Sequence, residues 1–75
     1  MDEQSWQIEL VRAGINITGL DVENRLVYFD FAYRPRSGGA RVWGKSVMKH
    51  STTRFTALAE ELKTFVLEMR KELEG

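Results

Sequence analysis

The sequence predicts an α+β fold: a three-stranded antiparallel β-meander in the order β-β-β-α, with one long C-terminal amphipathic helix packed on one sheet face. Three observations predict it. Aromatic and apolar side chains recur at every second residue from Arg25 to Arg34. A second alternating run, Ala40 to Lys49, follows a break made of Pro35, Ser37, Gly38 and Gly39. From Phe55 to Leu73 the apolar positions change to helical spacing. The 75 residues form a single domain, because a chain this short buries only about 60 to 65% of the surface its unfolded form exposes and supports one core. Residues 1–5 are expected to be flexible, 6–49 to form the sheet and 52–74 the helix.

The first strand is expected at Trp6-Gln7-Ile8-Glu9-Leu10, where Trp6, Ile8 and Leu10 alternate with polar residues. The parity changes at Ala13-Gly14, since Ile15 and Ile17 become the inward candidates, and an extra residue at Gly14, a β-bulge, would return both sets to one face. Gly19 to Asn24 supplies the glycine, aspartate and asparagine of a hairpin connection. In the second strand Val27, Phe29, Phe31 and Tyr33 form the core face, and Leu26, Tyr28, Asp30, Ala32 and Arg34 point the other way. In the third, Val42, Gly44, Ser46 and Met48 face inward, and Arg41, Trp43, Lys45, Val47 and Lys49 face outward.

Ser51, Thr52 and Thr53 are three candidate N-caps for the helix. Its stripe is Phe55, Leu58, Ala59, Leu62, Phe65, Val66, Met69 and Leu73, opposite Glu60, Glu61, Lys63, Thr64, Glu68, Lys71 and Glu72. Laying this stripe across the aromatic face of the second strand leaves the other sheet face in water.

Composition narrows the function classes. No cysteine is present, so disulfides and thiolate metal sites are excluded. The polar, acidic N-terminus lacks the basic start and apolar run of a signal peptide, and no apolar stretch approaches the ~20 residues of a membrane span. A cytoplasmic protein without membrane association is expected. The formal net charge is zero, but the charges are segregated. Between Asp30 and Glu60 there is no acidic residue, and Arg34, Arg36, Arg41, Lys45, Lys49 and Arg54 all lie in that interval.

Little in the chain suits catalysis. His50 is the only histidine, so no metal set forms around it, and an ordinary solvent-exposed side chain is expected ahead of a ligand contact or a catalytic role. The carboxylates of Glu60, Glu61, Glu72 and Glu74 fall on the polar side of the helix, near Lys63, Arg70 and Lys71, which could pair with them. Gly38-Gly39 suits a turn rather than a phosphate-cradling loop. No catalytic residue, metal or cofactor is expected.

The constellation that stands out is the outward set of the third strand. Arg41, Trp43, Lys45 and Lys49 would project together, with Arg34 and Arg36 at the preceding turn and Arg54 at the helix start. Guanidinium forks suit phosphates, and an exposed indole stacks on bases. The alternatives are an interface for an acidic protein surface, or lysines that merely keep an edge strand from pairing, with Asp30 opposite Lys45 as an ordinary cross-strand pair.

Gly39-Ala40-Arg41-Val42-Trp43 resembles the strand after the second turn of plant ethylene-response-factor type DNA-binding domains, which are similar in turn to the arm-binding domains of some phage integrases. The resemblance implies a three-stranded sheet on one helix that reads DNA with the sheet. It covers those residues and the element order. It departs where Gly44 to His50 continues the strand, and where Trp6 to Arg12 stands in place of an arginine-rich first strand.

The function expected is therefore a small non-enzymatic protein that binds nucleic acid through Arg34, Arg36, Arg41, Trp43, Lys45, Lys49 and Arg54. The alternative is a protein-binding module or inhibitor of phage or mobile-element type, docking the same basic face on an acidic partner. An exposed Leu67, or the free edge of the third strand, would support a homodimer.

Overall fold

A computed structural model describes residues 4–52 and 54–74. The elements are α1 (Gln4–Arg12), β1 (Ile15–Asp21), β2 (Leu26–Tyr33), β3 (Val42–Lys49) and α2 (Phe55–Glu74). The strands form one antiparallel sheet in the order β1-β2-β3, followed by the C-terminal helix. Both helices pack on the same sheet face. Leu10 of α1, Leu58, Ala59, Leu62 and Val66 of α2, and Ile15, Val27, Phe29, Phe31 and Met48 of the sheet make one buried cluster. Among the described residues no helix is long and apolar enough to cross a membrane.

The segment expected as the first strand is instead the helix α1, and the sheet begins at Ile15 rather than residue 6. Five alternating residues are too few to choose between periods, while Gln7, Glu9, Leu10 and Arg12 are straight-chain residues that lose little rotamer freedom in a helix. Residues two apart lie about 200° apart around a helix, so Ile8 and Leu10 do not share a face: Leu10 is buried and Ile8 is exposed. The expected flexible segment 1–5 divides similarly. Residues 1–3 lie outside the described residues, and Gln4 and Ser5 open α1.

Gly14 is not a bulge. It ends α1 with φ of 76°, and its N–H donates to the Val11 carbonyl at 3.0 Å, as a left-handed glycine does after a helix. The register shift falls instead between Ile17 and Gly19, leaving Thr18 as the extra residue of β1. The hairpin turn is also shorter than expected, because Gly19, Leu20 and Asp21 pair with Tyr28, Val27 and Leu26. Asp21 then closes the turn by accepting from Asn24 N at 3.1 Å and Asn24 Nδ2 at 2.9 Å. These bonds favour the charged carboxylate and hold its pKa below the ordinary value of 3.8, the Asn24 side-chain bond being the largest cause.

The alternation of β2 and β3 holds in the register, with two departures in burial: Val42, expected inward, is 39% exposed, and Ala32, expected outward, is buried. Val27, Phe29 and Phe31 are buried, and the rings of Phe31 and Tyr33 stack with centroids 5.5 Å apart. Gly44 faces them: a Cβ there would lie 3.1 Å from Phe31 Cζ and 3.2 Å from Tyr33 Cε1, so the rings use the space a side chain would fill. The buried stripe of α2 is narrower than expected. Leu58, Ala59, Leu62 and Val66 are buried, Met69 packs at the margin, and Phe55, Phe65 and Leu73 remain partly exposed. Phe65 nevertheless meets Phe29 edge to face at 6.0 Å.

The helix start also differs. α2 begins at Phe55, where Leu58 N–H donates to the Arg54 carbonyl at 2.8 Å. Ser51 does not cap it; its hydroxyl donates to Glu61 Oε1 at 2.8 Å. Thr52 Oγ1 accepts from Arg54 N at 3.1 Å, and the candidate cap at Thr53 lies outside the described residues. Arg70 does not pair with the helix carboxylates. It donates from Nε to the Ala32 carbonyl at 2.8 Å and from Nη2 to the Ala13 carbonyl at 2.8 Å, joining α2 to the end of β2 and to the α1–β1 corner.

Two stability outcomes follow from these contacts. Arg70→Met strands part-buried carbonyls and should cost about 2–3 kcal/mol in urea unfolding, and Gly14→Ala should act in the same direction, since a Cβ would fall 2.9 Å from Arg70 Nη2 in a backbone with positive φ. Asp21→Ala should destabilise at neutral pH. Because the folded Asp21 pKa is depressed, that difference is present above the unfolded value and closes as pH falls through the folded one. Parallel melts of wild type and Asp21→Ala, from neutral pH to below 3.8, check both halves of this statement.

Candidate functional site

The sheet face turned away from both helices carries the outward set of β3. Hydrogen-bonded register places Trp43 opposite Ala32, Lys45 opposite Asp30, Val47 opposite Tyr28 and Lys49 opposite Leu26. Arg41 precedes the strand with the same parity. From Trp43 to Lys49 the strand extends about 20 Å at ~3.3 Å per residue. Trp43 is 61% exposed, and Tyr28 and Val47 also show substantial apolar surface. Tyr28 lies over Gly19 of β1, whose Cβ, if present, would meet the ring at 3.7 Å. The face is thus a shallow surface with Trp43 toward one end, Tyr28 and Val47 toward the other, and lysines between and beyond them.

Ala32 has outward parity yet is only 4% exposed. A Cβ added at Gly14 would lie 3.4 Å from Ala32 Cβ and 3.2 Å from Arg41 Nη2, so the Arg41 side chain reaches across the sheet toward the first residues of β1. Arg41 and Arg70 flank this bare stretch of backbone from different elements. Only Arg70 is anchored there by hydrogen bonds. Arg41, Lys45 and Lys49 have no hydrogen bond or ion pair through their side chains to any described residue.

The pairing state of cations separates the two faces of the molecule. On α2, Lys63 bridges Glu9 at 3.4 Å and Glu60 at 3.3 Å, and Lys71 meets Glu68 at 3.3 Å. The Lys63 pKa is raised, first by its bond to Glu60, with burial acting in the opposite direction. These exposed pairs are individually weak, but they neutralise the helix layer locally. The basic side chains of the sheet face are left to solvent.

The remaining expected site residues separate from this centre. Arg36 is committed elsewhere: its Nη2 donates to the Glu72 carbonyl at 2.8 Å, at the negative end of the α2 dipole. The Arg34 backbone N–H donates to Glu74 Oε2 at 2.9 Å, while its exposed side chain stays at the same end as Arg41. Arg54 stands at the start of α2, beyond the Lys49 end of β3, so Arg34 and Arg54 mark opposite ends of the sheet. Leu67 is 52% exposed on α2, between Lys63 and Lys71 in helical position.

His50 is not an ordinary exposed histidine. It is half-buried, its N–H donates to the Arg25 carbonyl at 2.9 Å, and its Nδ1–H donates to the Thr52 carbonyl at 2.6 Å. It secures the passage from β3 to α2. Among the described residues, no group of three or more histidine, aspartate or glutamate side chains comes together as a metal site. The role of Arg70 is invisible in the sequence because its partners are backbone carbonyls, 38 and 57 residues away, which no side-chain pattern encodes.

No protein-family model matches the chain, and no curated protein or solved structure matches it. The order of three strands and one following helix that the likeness of Gly39 to Trp43 to ethylene-response-factor type domains implies is present, with α1 added before β1.

An exposed contact surface should be separable from the core by mutation. Trp43→Ala is expected to change the unfolding free energy by about 0.5 kcal/mol or less, whereas Phe29→Ala should cost about 3–5 kcal/mol. Denaturant titrations of the two variants make the comparison.

Proposed function

We propose that this is a small, non-enzymatic, cytoplasmic binding protein that contacts nucleic acid through the sheet face bearing Arg41, Trp43, Lys45 and Lys49. The observation that carries the reading is the combination of three cations without side-chain partners among the described residues and an exposed indole, on the one sheet face that no helix covers. Arg41 offers a planar fork to a phosphate, Lys45 and Lys49 contribute point charges along the strand, and Trp43 and Tyr28 offer ring faces to bases. Arg34 and Arg54 extend the footprint at its two ends. Arg36 contributes to the fold rather than to the contact.

Salt dependence is the direct test. Five engaged cations, Arg34, Arg41, Lys45, Lys49 and Arg54, give a slope of log K against log salt of roughly −3.5 to −4.5, taking about 0.7 to 0.9 per neutralised phosphate. Purified protein is titrated with labelled duplex DNA, single-stranded DNA and RNA over a salt series. Arg41→Ala/Lys45→Ala should weaken binding and reduce the slope to roughly −2 to −3. No binding to any of the three at low salt overturns the proposal. In that case the same double variant, used in a pull-down, tests the second reading: a module that docks this face on an acidic protein. The exposed apolar surface of Tyr28, Trp43 and Val47 favours that reading over a merely solvated face.

A further inference from the structure

The edge of β3 faces a groove that the sheet-face reading does not use. β3 is the last strand of the sheet, and His50 N donates to Arg25 O, which sets the phase of the β2–β3 ladder. In an antiparallel pair, residues alternate between bonding the neighbour and pointing away from it. Residues 42, 44, 46, 48 and 50 therefore bond toward β2, and the N–H and C=O groups of Trp43, Lys45, Val47 and Lys49 point to the open edge. Beside that edge runs α2. Val47, Met48, Lys49, Glu60, Glu61, Thr64, Phe65 and Glu68 enclose an open groove of about 810 Å³, with apolar surface supplied by Val47, Met48 and Phe65.

We propose that this groove accepts an extended peptide segment of a partner protein, which adds as a fourth strand to β3 and presents basic side chains to α2. The charge pattern selects the occupant. Alternate side chains of an added strand point to opposite sheet faces. On one side they meet Glu60, Glu61 and Glu68; on the other they lie next to Lys45 and Lys49. The complementary strand carries lysine or arginine toward the helix and acidic or neutral residues toward the outer face. Its backbone satisfies the open donors and acceptors, and its side chains set the specificity.

The groove carboxylates are available for this exchange. Glu60 and Glu68 are held by exposed lysines at 3.3 Å, and Glu61 accepts from the Ser51 hydroxyl at 2.8 Å, so no buried ion pair must be broken. A second copy of the chain is a poor occupant. Two-fold pairing of β3 with itself would gather Lys45 and Lys49 of both copies on one face and Glu60, Glu61 and Glu68 of both on the other. Lysines on an edge strand discourage self-pairing in this way, while leaving the edge open to a partner of opposite pattern. This proposal does not depend on nucleic-acid binding.

The probe is a blocked nine-residue peptide alternating lysine or isoleucine with glutamate or threonine, titrated into the full chain at low salt with amide chemical shifts recorded. The expected result is a saturable shift set on β3 and on α2 from Glu60 to Glu68, with slowed exchange of the Trp43, Lys45, Val47 and Lys49 amides. An all-glutamate version on the helix-facing positions should bind at least tenfold more weakly. Val47→Pro removes an outward N–H without touching the β2 ladder and should abolish the shifts. Glu60→Lys/Glu68→Lys, which leaves the strand intact, should weaken binding at least tenfold and covers the case in which the proline variant misfolds. Absence of binding to the wild type overturns the proposal, as does equal binding to a folded Val47→Pro. It is likewise overturned by a β3-mediated dimer, seen in sedimentation and lost in Val47→Pro, because the groove would then belong to a second copy.

Discussion

The Arg70 guanidinium is the contact on which the arrangement of layers depends. Through the Ala32 and Ala13 carbonyls it fastens the last turns of α2 to the end of β2 and to the corner where α1 becomes β1. A charged donor on neutral carbonyls is worth more than an ordinary hydrogen bond, and the carbonyls after α1 lie at the negative end of that helix. Gly14 accepts the positive φ of this corner and leaves the space beside the Arg70 guanidinium open. Together with the apolar cluster that Leu10, Leu58, Leu62 and Val66 form on the sheet, the Arg70 contact holds both helices on one face. The aromatic ladder of Phe29 and Phe31 is covered, and the opposite face is left bare.

That separation gives the charge pattern its meaning. Along the chain the acids and bases simply occupy different intervals; in space they occupy different layers. The helix layer holds its lysines in pairs with Glu9, Glu60 and Glu68, whereas Lys45 and Lys49 project from the uncovered sheet and Arg41 reaches across toward Gly14. Net charge is zero, yet Lys45 and Lys49 stand on a different layer from the acids of α2, and fixed charges act locally over about a Debye length, ~8–10 Å at moderate salt. The turn between β2 and β3 is tied to the end of α2 through Arg34 and Arg36. This removes Arg36 from the basic surface and anchors the segment that leads into Arg41.

Much of the candidate surface is legible in the order of residues alone. A period of two places side chains on faces by geometry, so the inward Val27, Phe29 and Phe31 and the outward Trp43, Lys45 and Lys49 are assigned by counting. Asp30 against Lys45 also follows from counting across the turn. The same counting fails at Trp6 to Leu10, where a few alternating residues satisfy the strand template within a sequence of good helix formers. It fails again at Ser51, whose hydroxyl finds Glu61, ten residues on, instead of the helix end. Local preference is a weak signal when a distant partner offers a better bond.

The sequence by itself determined the α+β class, the faces of β2 and β3, the amphipathic C-terminal helix and the clustering of basic residues around β3. Each of these is a property of spacing, and spacing is carried by the chain. Only the tertiary structure decided that the first segment is a helix on the same face as α2, that Gly14 ends it, that Arg36 and Arg70 serve the fold, and that the β3 edge lies beside acidic α2. These depend on which backbone groups meet across the molecule. Backbone carbonyls and amides are alike at every position, so their pairing is settled by packing in three dimensions and leaves almost no mark in the order of side chains.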